Sequence, residues 1–154
     1  MGMKRSPYFR QETDFSCGPA VMRMMLAGIG IRISEKKLAG LLGTTAKDGT
    51  GQKAFPMLAE RLGLSYAVGR KSSLEELGRM QKQGYFVIVY FFCGQEKEFH
   101  YAVLKRLGKS RVFLADPCLG PGHSIGRKEF ERDWRSDLRV EKENRWFFAL
   151  KKAG

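Results

Sequence analysis

The sequence predicts an α+β domain in which N-terminal helices pack on a C-terminal antiparallel sheet. Apolar residues recur at helical spacing in the first half of the chain, and runs rich in β-branched and aromatic residues gather in the second. The two kinds do not alternate, as a doubly wound parallel sheet would require. The 154 residues, 43% hydrophobic and 12% aromatic, suit one domain spanning 1–154 with a real core.

Cys17-Gly18-Pro19 opens the first helix, with proline near the first helical position, where its missing N–H costs nothing. Met22, Met25, Leu26 and Ile29 follow at helical spacing, and Gly28 and Gly30 close it. Ser34 caps a short second helix that buries Leu38, Leu41 and Leu42 and stops at Gly43. After a loop from Gly43 to Gly51, a third helix carries Phe55, Leu58, Ala59 and Leu62, with Pro56 in its first turn. Ser73-Leu-Glu-Glu76 has capping-box spacing and starts a fourth helix through Leu74, Leu77 and Met80. Strands are expected at Tyr85–Phe92, Phe99–Leu107, Arg111–Asp116 and Arg145–Leu150, interrupted by a short helix around Lys128–Trp134.

Composition limits the chemistry. The longest apolar run, Tyr85 to Phe92, is too short to cross a bilayer, and no signal-peptide pattern follows the basic start, so a cytoplasmic location is expected. Three cysteines, Cys17, Cys93 and Cys118, cannot all pair within the chain, and reduced thiols are expected. With no Cys-x-x-Cys and no close His pair, neither a metal site nor a cofactor is expected. The net charge of +12 is compatible with an acidic partner. Its spread along the chain and the lack of a nucleic-acid motif argue against specific nucleic-acid binding, which would show as steep salt dependence.

Cys17 stands at a predicted helix start, where the dipole and free N–H groups favour a thiolate. Gly18 is expected to leave the approach to the sulfur open. A thiolate needs a partner to manage protons, and only His100 and His123 are available. His123 falls in Leu119-Gly-Pro-Gly-His123, read as a flexible loop, whereas His100 begins a strand. Cys93 lies beyond a buried strand with no histidine assigned to it. Asp116 can reach His100 across a hairpin turning near Gly108-Lys109-Ser110. If those three residues form the loop, Ala102 faces Asp116, and Asp116 lies diagonally from His100, about 7–8 Å away between backbones. A two-residue loop without a bulge would put the two on opposite faces, so the pairing demands an odd loop or a bulge. Asp116-Pro117 would also serve as a plain turn. Gln11, six residues before Cys17, can fold back so that its amide joins the Cys17 backbone N–H as an oxyanion donor. With His100 an imidazolium, an asparagine oxygen at 116 could also accept the orienting bond.

Gln11-x5-Cys17-Gly18-Pro19-Ala20, His100-Tyr-Ala-Val103 and Asp116-Pro117 together resemble the bacteriocin-processing peptidases, a papain-like family that cuts leader peptides after a double glycine. The likeness covers nearly the whole chain. It implies a cysteine endopeptidase of papain-like fold, with Cys17 as nucleophile, His100 as base, Asp116 as orienter and Gln11 as oxyanion donor. It also implies a peptide or leader-peptide substrate and a separately encoded membrane exporter as partner. Ser16 replaces the aspartate that transporter-linked members carry before the cysteine, which points to the free-standing branch. The alternative is a catalytically silent peptide-binding module that keeps the cleft.

Overall fold

The computed structural model describes residues 5–136 and 144–154. It contains, in order, α1 (Cys17–Gly28), α2 (Glu35–Leu42), α3 (Ala54–Arg61), β1 (Ser65–Gly69), α4 (Leu74–Lys82), β2 (Phe86–Cys93), β3 (Glu98–Leu107), β4 (Arg111–Asp116), β5 (Gly120–Gly126), α5 (Arg127–Asp133) and β6 (Phe147–Lys151). The strands form one antiparallel sheet in the order β1-β6-β2-β3-β4-β5. Among the described residues, no helix is long and apolar enough to cross a membrane.

Strand alternation gives the sheet two buried faces. Ile88, Tyr101, Val103, Phe148 and Leu150 meet the apolar stripes of α1, α2 and α3 on one face. Val87, Val89, Phe91, Ala102, Leu104, Leu114 and Ala149 meet Leu74 and Leu77 of α4 and Phe130 of α5 on the other. The expected helix signals operate. The Ser34 hydroxyl accepts from the Lys37 N–H at 3.2 Å, Gly43 ends α2 at φ 67°, and the Ser73 hydroxyl accepts from the Glu76 N–H at 3.2 Å.

Four expectations need correction. The first half is not all helix, because Ser65–Gly69 forms β1, paired with β6. Leu119-Gly-Pro-Gly-His123, read as a flexible loop, falls from Gly120 onward in β5 (Gly120–Gly126), and His123 stands opposite Leu114. The last strand begins at Phe147 rather than Arg145, whose φ of 48° is incompatible with a strand. Finally, the β3–β4 turn is tighter than a three-residue loop. Leu107 pairs with Val112, and the Gly108 N–H donates to the Arg111 carbonyl at 2.8 Å, leaving Lys109-Ser110 at the tip.

Such a turn alone would set His100 and Asp116 on opposite faces. A bulge corrects the count. Leu104 pairs with Leu114 but Arg106 with Phe113, so Lys105 is an extra residue on β3. Beyond it the register runs through Val103↔Ala115, which brings Asp116 opposite Ala102 and onto the His100 face.

Candidate active site

His100 and Asp116 meet at the open end of β3, and Cys17 approaches the same edge. Pairing of β3 with β4 stops at Val103↔Ala115, so His100 and Tyr101 lie past the point where β4 departs. Cys17, the first residue of α1, comes to that edge from the α1 face. Its half-buried sulfur accepts a hydrogen bond from the peptide N–H of Tyr101, the residue after His100. The His100 ring is 3% exposed, and its Nε2 lies 2.7 Å from Oδ2 of Asp116, which is fully buried. Oδ1 of Asp116 accepts the N–H groups of Cys118 at 2.8 Å and Leu119 at 3.0 Å. Asp116 is therefore both turn residue and histidine partner, one oxygen for each.

The protonation states follow from these contacts. Burial works against the His100 imidazolium, but hydrogen bonds to Asp116 and Cys93 and the negative charges nearby outweigh it, raising the ring to about 9. Burial opposes ionisation of Asp116 too, yet His100 and the two amides hold its carboxyl below the ordinary aspartate range. Burial pushes the Cys17 thiol up to about 11, against the pull of the Tyr101 and Gly18 amides. At neutral pH these shifts favour an imidazolium–carboxylate pair beside a neutral thiol. They favour the imidazolium half of the expected resting pair and oppose the thiolate half, through desolvation.

Two assignments change. The sulfur that acts on the His100 ring is that of Cys93, which ends β2 diagonally across from it and helps to raise the ring. Sequence reasoning missed this because the signal lies in the β2–β3 register, Phe91↔His100 and Cys93↔Glu98. Gly18 is buried rather than open. A β-carbon there would lie 2.2 Å from Thr50 Oγ1, so the glycine admits the α2–α3 loop, whose Thr50 carbonyl accepts from the Tyr101 hydroxyl at 2.7 Å.

The N-terminal segment brings Gln11 to the same corner. The Tyr8 hydroxyl donates to the Asp116 carbonyl at 2.6 Å, Arg10 to the Cys118 carbonyl at 3.0 Å, and the Gln11 backbone N–H to the Pro117 carbonyl at 3.0 Å. The Gln11 side chain folds back and Nε2 donates to the Thr13 carbonyl at 2.8 Å, leaving a second N–H on that nitrogen. His123, on the edge strand β5, is not part of this cluster.

A cleft of about 730 Å³ is lined by Tyr8, Phe86, Val103, Phe113 and Ala115, with Arg5, Lys105 and Arg106 supplying positive charge; none of Gln11, Cys17, His100 and Asp116 lines it. Among the described residues, no group of three or more His, Cys, Asp or Glu is placed to hold a metal ion.

Comparison with known proteins gives a consistent result. The model of the peptidase C39 family matches residues 5–144. An uncharacterized protein of Methanothermobacter thermautotrophicus (strain Delta H) is 33% identical over 130 residues, which cover 84% of each chain. The lactococcin transport/processing ATP-binding protein LcnC-like of Lactococcus lactis is 33% identical over 117 residues, 76% of this chain but 16% of that protein. In fold, the chain is similar to a double glycine motif protease from an AMS/PCAT transporter, solved with its leader peptide. The TM-score is 0.77 at 20% identity, covering 99% of this chain and 95% of that one.

Proposed function

Since the chain belongs to the peptidase C39 family, we propose that it is a cysteine endopeptidase that cuts a peptide or leader segment, after a Gly-Gly pair, with Cys17, His100 and Asp116 as triad and Gln11 as oxyanion donor. One observation carries this reading: the helix-start sulfur is hydrogen-bonded to the peptide that follows a histidine ion-paired with a buried aspartate. The leader peptide bound to the similar double glycine motif protease supports a peptide substrate, and the transport and processing role named for the Lactococcus relative supports an exporter as partner. A cytoplasmic setting agrees with three free cysteines.

In this mechanism the Cys17 thiol gives its proton to solvent water while His100 remains an imidazolium. The thiolate attacks the scissile carbonyl, forming the C–S bond, and the oxyanion is met by the Cys17 N–H and the free N–H of Gln11 Nε2. His100 gives a ring proton to the departing amine as the C–N bond breaks. The neutral imidazole then takes a proton from water, whose oxygen attacks the thioacyl carbon, and the C–S bond breaks to return the thiolate. Asp116 keeps the ring oriented throughout.

The test is incubation with a synthetic peptide carrying an internal Gly-Gly pair, followed by mass spectrometry. Cleavage after the pair is expected, with complete loss in Cys17→Ala at an unchanged melting temperature. Tight binding of the peptide with no cleavage, and no adduct on Cys17 from a peptide aldehyde ending in Gly-Gly, would replace this reading with the silent binding module.

A further inference from the structure

Glu35 is the first residue of α2, the position at which a carboxylate usually faces water. Here it is 2% exposed. Its Oε2 accepts the Glu12 backbone N–H at 2.7 Å and the Ser16 hydroxyl at 2.9 Å, while Oε1 is buried without a partner. The charged groups near it are the Glu12 carboxylate and the Arg23 guanidinium, and those two pair with each other at 3.6 Å. Burying a half-satisfied carboxylate is costly, so its retention asks what it holds.

It holds both ends of one short segment. Glu12 follows Gln11, and Ser16 precedes Cys17. Ser16 is the N-cap residue of α1, yet its hydroxyl makes no cap bond to the helix. Instead it accepts the Thr13 N–H at 3.0 Å and donates to Glu35. A hydroxyl has one proton, and its other acceptor in reach is the Thr13 carbonyl at 3.2 Å. That same carbonyl receives Gln11 Nε2. By drawing the Ser16 hydroxyl proton to itself, the Glu35 carboxylate leaves the Thr13 carbonyl to the glutamine and to the Ser16 backbone N–H, which lies 3.5 Å away. A continuous chain of contacts thus runs from Glu35 through Ser16 and Thr13 to the Gln11 amide.

We propose that Glu35 is a positioning residue for the oxyanion donor: it closes residues 12–16 into a loop whose Thr13 carbonyl fixes one N–H of Gln11 and leaves the other for the substrate. This rests on the peptidase reading above. Glu35→Leu removes the acceptor of the Glu12 N–H and the Ser16 hydroxyl, so its melting temperature is measured beside its rate and the assays are run below the unfolding range. Glu35→Gln keeps an oxygen where Oε2 stands.

Cleavage of the Gly-Gly peptide by Glu35→Leu is expected to fall about tenfold to a hundredfold in kcat, below the 10²–10³ for complete loss of a donor. KM and Cys17 alkylation should stay at wild-type values, and Glu35→Gln should restore most of the rate. In a Gln11→Ala background, Glu35→Leu should cost nothing further, since the residue acts through the amide already removed. The Gln11 side-chain amide resonances, assigned by their loss in Gln11→Ala, should move in Glu35→Leu and Ser16→Ala but little in Glu35→Gln. A full second loss in the double variant, or unmoved Gln11 resonances in both Glu35→Leu and Ser16→Ala, overturns the proposal. If the wild-type protein cuts no peptide, the peptidase reading falls while the amide resonances still decide whether Glu35 positions Gln11.

Discussion

Replacing Asp116 with asparagine exchanges one acceptor oxygen for a donor nitrogen, and the site has no place for that donor. The Asp116 carboxylate receives three hydrogen bonds, two at Oδ1 from the Cys118 and Leu119 amides and one at Oδ2 from His100. The two amides are fixed by the turn and keep whichever oxygen remains. The new NH₂ group then faces Nε2 of the ring, which can meet it only as the unprotonated acceptor of a neutral imidazole. The sequence alone suggests that asparagine could substitute, since its oxygen can accept from an imidazolium. The distribution of donors removes that option.

The size of the effect follows from His100. Its pKa stands at about 9 against an ordinary 6.5, so the surroundings favour the imidazolium by about 3 kcal/mol, at about 1.4 kcal/mol per pH unit. Without the carboxylate, burial pushes the other way with only Cys93 opposing it, and the midpoint should fall towards 6.5. The imidazolium-to-imidazole ratio at pH 7 then drops by up to about 300-fold. The stability consequence has a definite sign. Because the folded value is raised, the wild-type protein holds this stabilisation fully below pH 6.5 and loses it as the pH rises towards 9. The lowered Asp116 value adds that the same pairing is lost at the acid end, as the pH falls below 3.8 and through the folded value. Asp116→Asn should flatten the alkaline loss. With only two histidines in the chain, imidazole resonances followed against pH report the midpoint directly, with His123→Gln as the assignment control. Turnover at pH 7 should fall by about 10²–10⁴ in Asp116→Asn, in line with loss of the correct ring state in other triads. A wild-type midpoint near 6.5, or an asparagine variant that still titrates near 9 and turns over within a few-fold of wild type, would refute the reasoning.

Three more outcomes are expected. Iodoacetamide alkylation of Cys17 in the empty protein should rise about tenfold per pH unit from pH 7 towards 10, because burial keeps the thiol protonated until about 11; a rate already at its plateau at pH 7 would mean a resting thiolate. Gln11→Ala should lower turnover by about 10²–10³ while leaving alkylation unchanged, since alkylation forms no oxyanion; equal losses in both assays would make Gln11 structural. Cys93→Ala should lower the His100 midpoint, by less than Asp116→Asn does, because one of the two hydrogen bonds raising it is removed; an unmoved midpoint would show that the Cys93 sulfur does not contact the ring.

Helix signals in this chain were legible because they are local. Ser34, Gly43 and Ser73 act through atoms within one turn, and each does what its residue type requires. The two strands that propensity missed, β1 and β5, are the two edges of the sheet. Gly120-Pro-Gly-His-Ser-Ile-Gly126 carries three glycines and a proline, a poor strand by composition. An edge strand tolerates them because only one side is paired, here against the good strand β4. Ser65–Gly69 is likewise drafted by β6. Edge pairing is supplied by a neighbour distant in sequence, and no local pattern reports it.

The site divides along the same line. Cys17 and its helix are local, and residue type with position indicated them. Whether His100 meets Asp116 depends instead on Lys105, which neither side chain touches. The two-residue tip at Lys109-Ser110 sets one parity for the hairpin, and the bulge at Lys105 reverses it before the strands reach the site. Parity arithmetic on the sequence could state that an odd loop or a bulge was required, but not which. The residues that decide lie on the exposed part of β3, in Lys105-Arg106, where no buried alternation records the register. Glu35 and Cys93 escaped for a related reason: each acts on the site across a distance in sequence that only packing closes, from the start of α2 to Ser16 and from the end of β2 to His100.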